Sequence, residues 1–258
     1  ITYQRFFARY LCLSGMTGTA REMAGELSVV YRLDTVTIPT HRPSARRRLP
    51  DVVCRHSGEK WQAVAEEIAR RQARGQPVLV GTRSVEASDT LSQRLKSMGV
   101  AHAVINARQD ADEAEVVAQA GQRGAVTVAT NMAGRGTDIS LGEGVEALGG
   151  LFVILTEYHE SPRIDRQLLG RCARQGQPGE CVAMIAIDDD LFTQHGGTSR
   201  DGLVRWTKLN GAVPAGWVLQ CRRAAQSRAE RMHARTRRDT LRQDRELERS
   251  MGFSGDPL

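Results

Sequence analysis

Between residues 59 and 187, short unbroken apolar runs alternate with amphipathic segments, and no other feature restricts the fold as much. The runs are Val78-Leu79-Val80, Ala103-Val104-Ile105, and residues 126–130, 152–155 and 182–187. Each has the length of a buried strand, and none approaches the roughly 20 apolar residues of a membrane-spanning helix. Residues 59–74 set Trp61, Val64, Ala65, Ile68 and Ala69 on one helical face, with Gly75 as C-terminal cap and Pro77 blocking continuation. Residues 84–98 predict a second helix, with Ser84 as its N-cap and Gly99 just past its end. Residues 112–120 and 164–174 predict two more. Strands that are apolar throughout and separated by helices imply an α/β fold with a parallel sheet covered on both faces. Ligands of such sheets sit beyond the carboxyl ends of the strands, so the loops there are where a site is expected.

Past Leu191 the alternation stops. Residues 193–216, with Gly196-Gly197, Gly202, Gly211, Pro214 and Gly216, read as loop. Residues 218–250 read as helix, but their apolar residues are sparse, so this helix needs a surface to pack on or stays frayed. From Arg222 to Arg249 there are ten arginines and five acids, so much of the net charge of +6 lies there. A second basic cluster is Arg42, Arg46, Arg47 and Arg48. A pI of about 9.4 permits contact with anionic partners without requiring it. The five cysteines are scattered with no CxxC pair, which argues for reduced thiols and against a disulfide framework or a zinc site. No basic, apolar, small-residue leader opens the chain, and a first residue of Ile rather than Met is expected of a piece of something longer.

Two strings carry the chemistry. The first is TVATNMAGRGTDI at residues 127–139, where a strand runs into Gly134, Arg135, Gly136, Thr137 and Asp138. Glycines flanking an arginine allow a tight turn that can approach a ligand closely, and Asp138 can accept from a ribose or an arginine. The second is QLLGRCARQGQPG at residues 167–179, which places Arg171 and Arg174 on one face of the expected helix. Two guanidiniums at a cleft suit a transferring phosphoryl group, whose charge spreads over three oxygens. A lone GxG is an ordinary turn, and most surface arginine pairs are a solvated basic face. The two strings together carry the functional reading.

These strings resemble the fifth and sixth motifs of the superfamily 2 ATPases, in the form found in the SecA family of protein-export motors. Residues 1–20, ending in GMTGTA, are similar to the end of the SecA first nucleotide-binding domain and its third motif. Residues 29–43 resemble the crossing into the second domain, residues 75–85 its fourth-motif strand, and EYHESPRIDRQL at 157–168 the approach to the arginine fingers. The similarity runs to about Phe192 and resumes weakly at residues 225–245. It implies a RecA-like second domain at 41–191, the end of the first domain at 1–40, and an abbreviated helical scaffold at 192–258. It further implies that Arg171 and Arg174 face the ATP γ-phosphate and that Gly134, Arg135, Gly136, Thr137, Asp138 and Gln167 line the nucleotide cleft. Thr17 to Ala20 would relay nucleotide state. The implied partners are a preprotein, a SecY-type channel, the first nucleotide-binding domain and anionic lipid, at the inner face of the cell membrane on the cytoplasmic side.

Tyr158, Leu169, Ala173 and Gln177 depart from the family's arginine, arginine, glycine and aspartate, and the connection at 140–150 is short. No GxxxxGK(S/T) loop occurs, so the phosphate cradle and Mg²⁺ are expected on the missing first domain, and the chain alone is expected to be inactive. Asp188-Asp189-Asp190 mimics a Mg²⁺-holding acidic motif but aligns with the acidic turn that closes the second domain; no metal site is expected here. His159 is expected to order its loop, and Trp61 to belong to the core. Two other readings stay open: a superfamily 2 nucleic-acid helicase, which the scarcity of aromatic stacking groups disfavours, and a non-catalytic binding module.

Overall fold

The structure is a computed structural model that describes residues 2–105, 113–130, 137–211 and 213–250. The chain divides into two compact units, one of Thr40–Gln226 and one of Ile1–Pro39 with Ser227–Leu258.

The helices are α1 (Tyr3–Phe7), α2 (Ala24–Tyr31), α3 (Ser57–Ala73), α4 (Val85–Ser97), α5 (Glu113–Gln119), α6 (Pro162–Leu169), α7 (Asp190–His195), α8 (Gly197–Asn210) and α9 (Ala215–Ser250). The strands are β1 (Arg46–Arg48), β2 (Val52–Cys54), β3 (Val78–Thr82), β4 (Ala103–Ile105), β5 (Val126–Thr130), β6 (Leu151–Leu155) and β7 (Gly179–Ala186). In the larger unit the strands form one sheet in the order β1-β7-β6-β3-β5-β4, with β2 pairing farther along β7. Every pairing is parallel, as the βα alternation requires.

Alternate residues of each strand feed opposite faces of this sheet. Val78, Val80, Val126, Val128, Phe152, Ile154, Val182 and Met184 meet Val64, Ala65 and Ile68 of α3 and Leu91 and Leu95 of α4. Leu79, Ala129, Leu151, Val153, Leu155, Cys181, Ala183 and Ile185 meet α5, α6, α7, α8 and the first turns of α9. Helices on both faces of a parallel sheet, then a helical C-terminal segment, make this a RecA-like α/β fold. The expected helix signals are present. Ser84 Oγ accepts the Ala87 N–H as N-cap of α4, and Gly75 and Gly99 take φ of +77° and +70° past α3 and α4.

Two expectations fail, and one pair of strands was not foreseen. Residues 193–216 are not loop: α7 and α8 occupy most of them, with Gly202 inside α8. Burial of Leu191, Phe192, Leu203 and Thr207 outweighs the poor helix propensity of the glycines. The edge strands β1 and β2 went unforeseen because Arg46-Arg47-Arg48 offers no apolar alternation; Leu49 N–H nonetheless donates to the Cys181 carbonyl at 2.8 Å. The helix expected at 164–174 begins at Pro162 and stops at Leu169.

α9 is helical as expected, and its first turns are not frayed: Val218, Cys221 and Ala225 sit in the core. In the smaller unit, Arg237 makes a two-pronged ion pair with Glu26 of α2 at 2.8 Å on each nitrogen, and Thr2 Oγ1 donates to Asp244 at 2.6 Å. Thr19 there is buried, with its N–H donating to Thr17 Oγ1 at 3.2 Å.

Candidate functional site

The arginine-bearing segment begins where α6 ends. Gly170 caps the helix with its N–H on the Arg166 carbonyl at 2.8 Å. The Leu169 carbonyl, which one more turn would have paired with the residue 173 N–H, instead accepts from Arg46 Nη1 at 3.0 Å and from Cys172 Sγ at 3.3 Å. Arg46 thus sets a cation against the negative end of the helix dipole. Arg171 and Arg174 are therefore not two positions of one helix face, as their spacing suggested. Arg171 lies in a turn and Arg174 opens a 3₁₀ turn of Arg174–Gly176.

What brings the two arginines together is the other string. Arg171 Nη1 donates to the Thr137 carbonyl at 3.1 Å, and Arg174 Nη1 donates to Asp138 Oδ1 at 2.6 Å. Residue pairs 34 and 36 positions apart in sequence thus meet in one cluster. The Arg174–Asp138 pair is open to solvent, with side chains 36% and 50% exposed, so it contributes at most about 1 kcal/mol to stability. Arg171 is half-buried. Gln167 lies on α6 one turn before Arg171, also half-buried. Gly134, Arg135 and Gly136 lie outside the described residues.

The loop that presents Arg174 is strained. Ala173 and Gln175 take φ of +55° and +54°, the left-handed region, on either side of it. Gly179 lets the segment fold over the start of β7, since a Cβ there would stand 2.6 Å from the Ala173 nitrogen. Left-handed backbone costs a side-chain-bearing residue about 1–2 kcal/mol, and glycine none of it. Ala173→Gly is accordingly expected to raise stability by roughly 1 kcal/mol. A urea midpoint at or below wild type would count against this backbone conformation.

Cys172 is buried between the two arginines, and its thiol is held well above the ordinary range by its hydrogen bond with Cys181 and by burial. Buried and hydrogen-bonded to the Leu169 carbonyl, it anchors the segment. None of the five cysteines is in a disulfide.

The remaining conspicuous residues turn out to be supports. Tyr158 is buried; its hydroxyl donates to Asp51 and accepts from Arg48 at 3.3 Å, and the Arg222 guanidinium lies 4.5 Å over its ring. Burial first, then the Asp51 hydrogen bond, pushes its phenol well up. Glu157 and Glu160 both pair with Arg83, which follows β3. In the acidic triplet, Asp188 accepts the Ser57 N–H at the start of α3, Asp189 forms a buried pair with Lys60, and the Asp190 N–H donates to Glu157. Among the described residues no group of three or more His, Cys, Asp or Glu is placed to hold a metal ion. No described helix is long and apolar enough to cross a membrane. Sequence reasoning missed Arg46 as a support of this site. Its signal was the basic cluster, but the register of β1 beside Gly179 is a tertiary fact.

The SecA P-loop domain family matches residues 43–148 and 143–211, and the SecA DEAD-like domain family matches residues 1–28. A protein translocase subunit SecA 2 of Nitrosospira multiformis is 49% identical over 255 residues, covering 99% of this chain and 38% of the relative. Another, of Bordetella avium, is 50% identical over 258 residues, covering 99% of this chain and 39% of the relative. The chain thus spans about two fifths of the length of these relatives. Among solved structures, the second domain of the DEAD-box helicase Mss116p bound to an RNA duplex aligns with a TM-score of 0.45 and 15% identity over 58% of each chain.

Proposed function

Because this chain belongs to the SecA family of translocase ATPases, we propose that its α/β body supplies the arginine-finger half of an ATP site in a protein-export motor. The observation that carries the reading is the convergence of Arg171 and Arg174 on Thr137 and Asp138. Tethers of this kind orient two guanidinium planes before nucleotide arrives, which lowers the ordering cost of binding a phosphate. Both side chains keep partial exposure, which fits a γ-phosphoryl group presented by a second lobe. As charge spreads over its equatorial oxygens, the planar forks donate charge-assisted hydrogen bonds that strengthen in the transition state. Gln167, Thr137 and Asp138, with Gly134, Arg135 and Gly136, would line the nucleotide side of this surface.

ATP fits this set of groups: two cations and the half-exposed Asp138 carboxylate suit a triphosphate and a ribose. Mg²⁺, when bound, neutralises phosphate charge and would be held by the first nucleotide-binding domain. In this reading residues 1–40 belong to that first domain, 41–191 form the second, and 192–258 open the helical scaffold. The substrate is an unfolded preprotein delivered to a SecY-type channel, and the motor is peripheral at the cytoplasmic membrane face. Thr17 to Ala20 relay nucleotide state.

The test is stimulation of ATP turnover in the complete motor. Preprotein with vesicles containing anionic lipid is expected to accelerate hydrolysis, and single-stranded RNA or DNA is not. Stimulation by nucleic acid alone would replace this reading with a helicase. The isolated chain is expected to show negligible turnover.

A further inference from the structure

α6, the helix that ends at the arginines, is held at its other end by a buried polar network. Asp165, in its first turn, is 6% exposed, and its Oδ1 accepts from the His159 N–H at 2.9 Å and from His159 Nδ1 at 2.7 Å. Its Oδ2 accepts from Gln226 Nε2, on α9, at 2.8 Å. The same amide nitrogen donates to the His159 carbonyl at 2.9 Å. His159 and Gln226 are 7% and 3% exposed. A carboxylate this deep is costly unless its lone pairs are satisfied, and here three donors satisfy it. Gln226 directs one amide hydrogen to the β6–α6 connection and the other to α6 itself.

Such a network does more than fill space. A leucine at 226 would fill the site as well, but fully satisfied buried networks select one arrangement among the many that apolar packing tolerates. α6 has eight residues, roughly 12 Å of helix, held in its first turn by Asp165 and followed, past Gly170, by Arg171. Near its C-terminal end it is pressed onto β3: a Cβ on Gly81 would stand 2.1 Å from Leu168 Cδ2. A displacement at Asp165 therefore reaches, within one helical turn, both the Leu168 contact and the segment that carries the guanidiniums.

We propose that Gln226 is a positioning residue, whose two hydrogen bonds fix α6 so that Arg171 and Arg174 stand in register for phosphoryl transfer. This rests on the arginine-finger reading above and deepens it: the α9 turn carrying Gln226 regulates hydrolysis without touching nucleotide. Misplacing a catalytic group by about 1 Å can cost ~100-fold in rate.

The experiment compares Gln226→Leu with Arg171→Ala in the complete motor. Gln226→Leu is expected to lower the ATP turnover number by about 10- to 100-fold while KM for ATP stays within about twofold, because the fingers act in the transition state. Pairing Asp165→Asn with Gln226→Glu restores the 165–226 hydrogen bond in the reverse direction, though not the one to the His159 carbonyl, and is expected to turn over faster than the single Gln226→Glu. It also serves if Gln226→Leu fails to fold. In this chain, amide exchange over residues 164–175 is expected to quicken in Gln226→Leu, with β3 and β6 unchanged. If Arg171→Ala is impaired while Gln226→Leu, or the single Gln226→Glu, turns over like wild type, the positioning role is overturned and the finger reading stands. If Arg171→Ala is itself unimpaired, the finger reading fails and this inference falls with it. A rise in KM without loss of turnover number also overturns the proposal.

Discussion

Arg171→Ala in the complete motor is expected to lower ATP turnover by about 10³- to 10⁵-fold, the range that removal of an arginine finger produces. Arg174→Ala is expected to fall in the same direction. The double variant should cost little more than the worse single one, because groups that act on one transition state are not additive. Nucleotide affinity should change far less than turnover, since the phosphate charge they answer to develops during transfer. Arg171→Lys should not restore activity: an ammonium is a point charge and lacks the planar fork that grips two oxygens. Unfolding would not explain the loss, because Arg171 donates to a backbone carbonyl and the Arg174–Asp138 pair is solvent-exposed. Circular dichroism melts within a few degrees of wild type would verify that. A loss smaller than about tenfold in both single variants would leave the cluster structural, with its solvated basic face as the whole explanation.

The largest expected effect on stability lies elsewhere. The Lys60 and Asp189 side chains are 3% and 2% exposed and paired with each other, and Asp189 Oδ2 also accepts the Ala186 N–H at 2.7 Å. Removing one member of a buried pair strands the other charge, which costs about 3–5 kcal/mol. Lys60→Met is therefore expected to approach that loss at pH 8, where the Asp189 carboxyl is ionised in the parent, and Lys60→Met with Asp189→Asn to recover most of it. Burial pushes the Asp189 carboxyl up to about 7 against the downward pull of Lys60. A carboxyl raised in the folded state binds its proton more tightly there than in the unfolded chain. Its contribution is complete below about pH 4 and is lost as pH rises through about 7. Without Lys60 the carboxyl moves higher still, so the deficit of Lys60→Met should be larger at pH 8 than at pH 5. Urea unfolding at those two pH values measures it. A deficit independent of pH would show that lost packing, rather than the stranded carboxylate, is responsible.

This pair also explains why the acidic triplet imitated a metal site. Three aspartates after an apolar strand are compatible with Mg²⁺ chemistry in one dimension. In three dimensions they cap α3, neutralise Lys60 and tie the start of α7 to Glu157. Nothing in a linear string distinguishes a carboxylate that awaits a cation from one already paired with a lysine 129 positions away.

The sequence by itself determined the sheet, the helices that flank it, and the two strings that meet at the site. Apolar periodicity, Ser84, Gly75 and Gly99 act within a few residues of where they stand, so they can be read locally. Tertiary structure alone decided three things: that Arg46-Arg47-Arg48 pairs beside β7, that residues 190–210 are helical despite their glycines, and that α6 ends at Leu169. It also replaced the supposed helix face with Thr137 and Asp138 as the reason Arg171 and Arg174 stand together. Each of these depends on a partner distant in the chain, whose burial or hydrogen bond outweighs the local preference of the residues concerned.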